Sequence, residues 1–208
     1  MQNFHLFLVM GLLVWSCYSF IGFAIVGPFT TSAFKCLPKS GIINDVPFAI
    51  IRVYQNSQSP PGIDPNALKT LTNALTAGYG IDIYMEICRG INATSQINLV
   101  NTEIVAPIVT VMDNNGVFAS DAYIFIKVEP SSNPECSWEG YSQSDNCNFL
   151  KEAAGAVVNW NNVWTPCIFS TARIWRQFFG SSCDTFATDT NAPLWYANYD
   201  STGQVHSV

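Results

Sequence analysis

The sequence predicts an α/β fold, a parallel sheet assembled from βαβ units, and three observations predict it. Short apolar runs rich in β-branched and aromatic residues alternate with segments of helical periodicity, at a spacing of roughly 30–40 residues. Most of those runs are continuously apolar rather than alternating, as in strands covered on both faces. The chain is 208 residues long, 49% hydrophobic and only 12% charged, which suits one domain with a sizeable core. Right-handed crossovers between such strands are compatible with either a closed barrel or an open sheet, and around six strands is short of the usual eight.

The elements follow in order. Leu6 to Trp15 is an apolar run too short and too close to the start for a spanning helix. With Cys17 and Ser19 at the −3 and −1 positions of a cleavage site, residues 1–19 read as a secretory signal and 20–208 as the domain. Phe20 to Val26 is a first strand. Thr30-Thr31-Ser32 can cap a short helix that Pro38 and Gly41 close. Val46 to Tyr54 is a second strand, followed by a polar, proline-bearing loop. Asp64-Pro65 offers an N-cap and a proline at the first helical position for a helix with an apolar face of Ala67, Leu68, Leu71, Ala74 and Leu75, stopped at Gly78. Gly80 to Ile87 is a third strand. Thr94 opens a helix through Ile104 that Pro107 is expected to end or kink. Tyr123 to Ile126 is a strand, and a helix over about 145–159 follows it. A strand around Pro166 to Ser170, a helix over Ala172 to Gly180 and a last strand over Pro193 to Tyr199 complete the chain.

Composition excludes several kinds of chemistry. The only histidines are His5, inside the expected signal, and His206 near the end. The domain body therefore lacks the imidazole that most serine and cysteine hydrolases use as base. No Cys-x-x-Cys pair, Gly-x-Gly-x-x-Gly or P-loop occurs, so no metal or nucleotide cofactor is expected. A net charge of −6 argues against nucleic acid, whose binding rests on basic patches, and nothing predicts stable membrane insertion. Carboxylates, amides, tyrosines and tryptophans remain, an inventory suited to sugar binding or sugar chemistry. Removal of the signal leaves six cysteines, an even number that points to disulfides in a secreted or lysosomal/phagosomal chain. The expected pairing joins the local pairs Cys136–Cys147 and Cys167–Cys183, with Cys36–Cys88 as the third; six cysteines allow 15 connectivities. Asn92-Ala93-Thr94 is a glycosylation acceptor.

The strand Tyr123 to Ile126 runs into Lys127-Val128-Glu129, and side-chain alternation puts Lys127 and Glu129 on one face. A carboxylate where a buried strand meets a loop is where α/β barrels place their chemistry, so Glu129 is the first candidate for a catalytic acid. Asp82 and Glu86 share one face of the preceding strand, Asp82 at its start and Glu86 at its far end. Among the tryptophans, Trp138 and Trp195 stand beside loops and are candidates to stack on sugar rings.

Several segments occur in one order: Ala77-Gly78-Tyr79-Gly80-Ile81-Asp82-Ile83-Tyr84-Met85, Lys127-Val128-Glu129, Asn133-Pro134-Glu135-Cys136-Ser137-Trp138, Asn146-Cys147, and Pro193-Leu194-Trp195-Tyr196-Ala197-Asn198-Tyr199-Asp200. Together they resemble the family 25 glycoside hydrolases, the Chalaropsis-type lysozymes, in their amoeba and nematode form. The resemblance covers nearly the whole mature chain. It implies an irregular, TIM-like (β/α) barrel, here with fewer than eight strands and a shortened C-terminus, acting on β-1,4 bonds of bacterial cell-wall peptidoglycan or a related amino-sugar glycan. Tyr196 and Asp200 match the family's terminal motif, and together with Asp82, Tyr84, Glu86, Lys127 and Trp195 they are the residues expected to line a cleft.

The departures bear on activity. Where the resembled family ends its first strand in Val-Asp, this chain has Val26-Gly27; where the fourth ends in Asp-x-Glu, this chain has Lys127-Val128-Glu129. Two of three expected carboxylates are thus replaced, and glycoside hydrolysis generally needs two such groups. The expectation is a lysozyme-like protein impaired in catalysis that binds glycan. The alternatives are an acid-pH muramidase in antibacterial defence or digestion, using Glu129 with a substitute carboxylate, and a scaffold or interaction protein without catalysis.

Overall fold

A computed structural model describes residues 22–37, 48–114, 122–160 and 164–196. The elements are β1 (Gly22–Ile25), α1 (Thr31–Cys36), β2 (Phe48–Gln55), β3 (Gly62–Ile63), α2 (Ala67–Thr76), β4 (Gly80–Glu86), α3 (Ala93–Val100), α4 (Ala106–Asn114), β5 (Ala122–Lys127), α5 (Gln143–Val158), β6 (Trp164–Ser170), α6 (Ala172–Phe178), α7 (Phe186–Thr190) and β7 (Leu194–Tyr196). One seven-stranded sheet runs β1-β2-β4-β5-β6-β7, all parallel, with the two-residue β3 antiparallel on β2. Spatial order follows chain order, so each crossover steps one strand onward in the same direction. Among the described residues β1 and β7 do not pair, and no barrel is closed by hydrogen bonds.

The strands bury both faces, which is why they read as continuous apolar runs. Ala49, Ile51, Val53, Ile83, Met85, Ile124, Ile126 and Ile168 pack into the main core with the helices. The alternate residues Ile50, Tyr84, Phe125 and Cys167 form a second cluster, flanked by Phe48, Tyr123 and Phe169. A period of two sends each strand into both layers.

Helix starts follow capping chemistry. Thr30, Ser142 and Thr171 each accept a hydrogen bond from the backbone N–H three residues on, at 3.1, 3.0 and 3.2 Å. Asp64 is not the cap of α2: Asn66 stands at that position, and Asp64 Oδ1 accepts from the Asn66 N–H at 3.0 Å while its other oxygen is engaged elsewhere. Pro107 does not end its helix. A π-turn over Asn101–Val105 precedes it, the Ala106 N–H reaches back to the Asn101 carbonyl, and α4 continues to Asn114. Widening the turn accommodates a ring that would meet the carbonyl four residues back in an α-helix.

The disulfides differ from those expected. Cys88 pairs with Cys136 and Cys147 with Cys183; Cys136–Cys147, Cys167–Cys183 and Cys36–Cys88 do not form. Cys36 is free and exposed, Cys167 free and buried. Cys88 and Cys136 follow the adjacent strands β4 and β5, so the parallel sheet brings their loops together across 48 residues of chain. Cys147 lies on the buried side of α5, facing Cys183 beyond α6. Trp138, a candidate for sugar stacking, is 1% exposed and wedged among Phe149, Phe178 and Phe179, so it belongs to the core.

Candidate functional site

Three neighbouring strands deliver charged groups to the carboxyl edge of the sheet. Arg52 comes from β2, Glu86 is the last residue of β4 and Lys127 the last of β5, and Glu86 stands opposite Lys127 in the β4–β5 register. The β2–β4 register shifts between Arg52 and Tyr54, which ends the regular pairing at Arg52. Strand alternation puts Arg52, Tyr84, Glu86 and Lys127 on the face away from the main core.

The charges form a chain. Arg52 donates to Asp64 Oδ2 through Nε at 3.1 Å and Nη2 at 3.0 Å, and Asp64 is 3% exposed. Arg52 Nη1 also lies 3.8 Å from Glu86 Oε2. Lys127 Nζ lies 3.7 Å from Glu86 Oε1 and 2.9 Å from Glu129 Oε2. One ammonium thus stands between two carboxylates, whose oxygens are separated by less than the sum of those two distances. Beneath it Tyr84 is buried, its ring centroid 5.8 Å from Nζ. Burial, with the Glu86 charge next, pushes the Tyr84 phenol up to about 12, so it stays neutral.

The chain faces a cavity of about 260 Å³ between two loops. Asn56 and Ser57, after β2, form one wall with Arg52; Pro130 to Ser132, after β5, form the other with Lys127 and Glu129; Glu86 is the floor. Asn133 ties the walls together, its Nδ2 donating to the Gln58 carbonyl at 3.1 Å. The Cys88–Cys136 bridge clamps the loop after β4 to the turn that follows the second wall.

Of the residues expected in a cleft, Glu86, Lys127 and Glu129 line this cavity and Tyr84 packs below it. Asp82 does not reach it. It sits two residues before Tyr84 on the same face, where its Oδ1 accepts from the Tyr123 N–H at 2.8 Å. Desolvation raises the Asp82 carboxyl to about 6 against that hydrogen bond. Burial, with the Asp82 charge second, pushes the Cys167 thiol up to about 12. Trp195 and Tyr196 belong to β7, in register with Phe169 and Ser170, while Asp200 lies outside the described residues. Gly27 follows β1 with φ +80°, on the edge beside β2. Asn92, the expected glycosylation acceptor, is exposed and caps α3, its Nδ2 donating to Glu152 at 3.2 Å.

Arg52, Asn56, Ser57, Ser131 and Ser132 escaped sequence reasoning. A signal existed for Arg52, the single charge in an apolar strand; the loop amides and hydroxyls carried none. No grouping of His, Cys, Asp and Glu able to hold a metal is present among the described residues. No helix among them is long and apolar enough to cross a membrane.

A predominantly parallel βα sheet with a polar cavity outside the carboxyl ends of its strands defines an α/β protein, and that edge is where open α/β sheets and barrels commonly place their sites. The chain belongs to the Lysozyme-like protein 1 family, whose model matches residues 17–207. No curated protein and no solved structure matched the chain.

Proposed function

We propose that the protein is a lysozyme-like glycan binder, related to the family 25 glycoside hydrolases, whose hydrolytic centre is impaired. Its partner on this reading is bacterial peptidoglycan or a related amino-sugar glycan, met in a secreted or lysosomal setting that fits two disulfides. The observation that carries it is the position of Lys127 Nζ, 2.9 Å from Glu129 and 3.7 Å from Glu86. Glycosidases use a carboxylic acid to protonate the leaving oxygen and a carboxylate to stabilise an oxocarbenium-like centre. Here the first carboxylate is committed to an ammonium, and that ammonium adds positive charge where the transition state builds it. Substrate binding tolerates such charges; bond cleavage is opposed by them.

One observation favours a second reading, an active muramidase. Glu86 and Glu129 both approach Lys127 Nζ, at 3.7 and 2.9 Å, which keeps their nearer oxygens below the ~9.5 Å upper limit of glycosidase carboxyl pairs. Clearing of a bacterial cell-wall suspension from about pH 3 to 8 decides between them. The binder sediments with insoluble peptidoglycan and leaves its turbidity unchanged; clearing that Glu129→Gln abolishes would establish the enzyme instead.

A further inference from the structure

The three acids of the charged chain are not equally satisfied. Asp64 takes two hydrogen bonds from Arg52, and Glu129 is in contact with Lys127 at 2.9 Å. Glu86 has cations at 3.8 and 3.7 Å, one facing each oxygen, and makes no hydrogen bond among the described residues. Ion-pair hydrogen bonds run at about 2.7–2.9 Å, so both gaps are too long to be bonds. Glu86 lines the cavity and is partly exposed to it, so its remaining acceptor sites face whatever enters there.

The gaps have a chemical size. A hydroxyl oxygen can lie within bonding distance of both a Glu86 oxygen and its facing cation, donating to the first and accepting from the second. That uses both halves of a hydroxyl, and each bond polarises the other. Two such positions exist side by side, one on each carboxylate oxygen. The cavity of about 260 Å³ lies beside these positions and is large enough to admit a sugar ring.

We propose that Glu86 anchors one terminal sugar ring through two adjacent hydroxyls, each bridging a carboxylate oxygen to Arg52 or Lys127. The inference rests on the glycan-binding reading and deepens it. In a 1,4-linked chain of N-acetylated amino sugars, an inner ring has no pair of adjacent free ring hydroxyls; a non-reducing N-acetylglucosamine has its 3- and 4-hydroxyls, whereas an N-acetylmuramic acid end, etherified at its 3-oxygen, offers only the 4-hydroxyl. The site therefore reads N-acetylglucosamine chain ends. Lys127 becomes part of the recognition set, which accounts for an ammonium at this place better than a lost acid alone.

The test titrates the full, oxidised chain with methyl N-acetyl-β-glucosaminide and with its 3-deoxy and 4-deoxy forms, followed by NMR. The parent sugar is expected to bind saturably and each deoxy form at least tenfold more weakly. Glu86→Gln, checked for folding by circular dichroism, should weaken the parent at least tenfold and bind all three sugars alike. That loss of discrimination is a readout a merely structural role would not move. Equal binding of parent and deoxy sugars by the wild type, or undiminished binding by Glu86→Gln, overturns the anchor. If insoluble peptidoglycan is bound and the monosaccharide is not, the end-reading inference fails and the binder stands; if neither is bound, both fall.

Discussion

Replacing Asp82 by asparagine should change how stability depends on pH. Desolvation lifts the Asp82 carboxyl from its ordinary 3.8 to about 6, outweighing the Tyr123 N–H that favours its charged form. The folded protein therefore holds this proton more tightly than the unfolded chain does. Between about pH 4 and 6 the native state carries the extra proton, so unfolding free energy falls as pH rises. The contribution is fully present below about pH 4 and lost as pH passes about 6. A rise of that size corresponds to roughly 3 kcal/mol, nearer 2 once partial solvent access is allowed for. Asparagine keeps an oxygen for the Tyr123 N–H and cannot ionise. Asp189, lowered by hydrogen bonds from Lys151 and Thr185, runs the opposite way but is common to both proteins. Urea unfolding of wild type and Asp82→Asn at about pH 4 and 7 isolates the term. Asp82→Asn should gain about 2–3 kcal/mol on the wild type between those pH values. A difference unchanged to within about 0.5 kcal/mol would refute the assignment.

Three further outcomes are expected. Arg52→Met leaves Asp64, 3% exposed, as a buried charge without its cation, and should cost about 3–5 kcal/mol in chemical denaturation. The double substitution Cys88→Ser/Cys136→Ser opens a loop spanning 48 residues and should cost about 4 kcal/mol on the chain-entropy scale, read from thermal unfolding. Gly90→Ala places a methyl group against the Glu135 carbonyl oxygen, a backbone atom beside that bridge; a lowered melting temperature, corresponding to about 1–3 kcal/mol, is expected.

Much of this was legible in the chain because the signals were local. The apolar run before Lys127 marked β5, and alternation alone put Lys127 and Glu129 on one face, where they form a contact ion pair. The capping run Thr30-Thr31-Ser32 marked the start of α1, and the expected starts of α5 and α6 fell within about two residues of those found. What failed depended on non-local geometry. Pairing cysteines by proximity along the chain missed that neighbouring parallel strands bring Cys88 beside Cys136. Trp138 stands beside a loop in sequence, yet the return of α5 and α6 closes over it. Asp64 reads as a helix cap until Arg52, twelve residues earlier on β2, is seen to claim its other oxygen. Glu86 was a weak candidate in sequence because its facing cations come from two other strands.

Gly27 carries one more consequence. Its main chain takes φ +80°, a conformation that costs an ordinary L-residue about 1–2 kcal/mol, and its carbonyl receives the Thr70 hydroxyl at 3.3 Å. A side chain added at Gly27 would meet open space, so the cost of replacing this glycine lies in the backbone turn and not in packing. Glycine here lets the main chain leave the edge strand toward α1 while its carbonyl stays tied to α2, and Gly27→Ala should loosen that corner without disturbing the core.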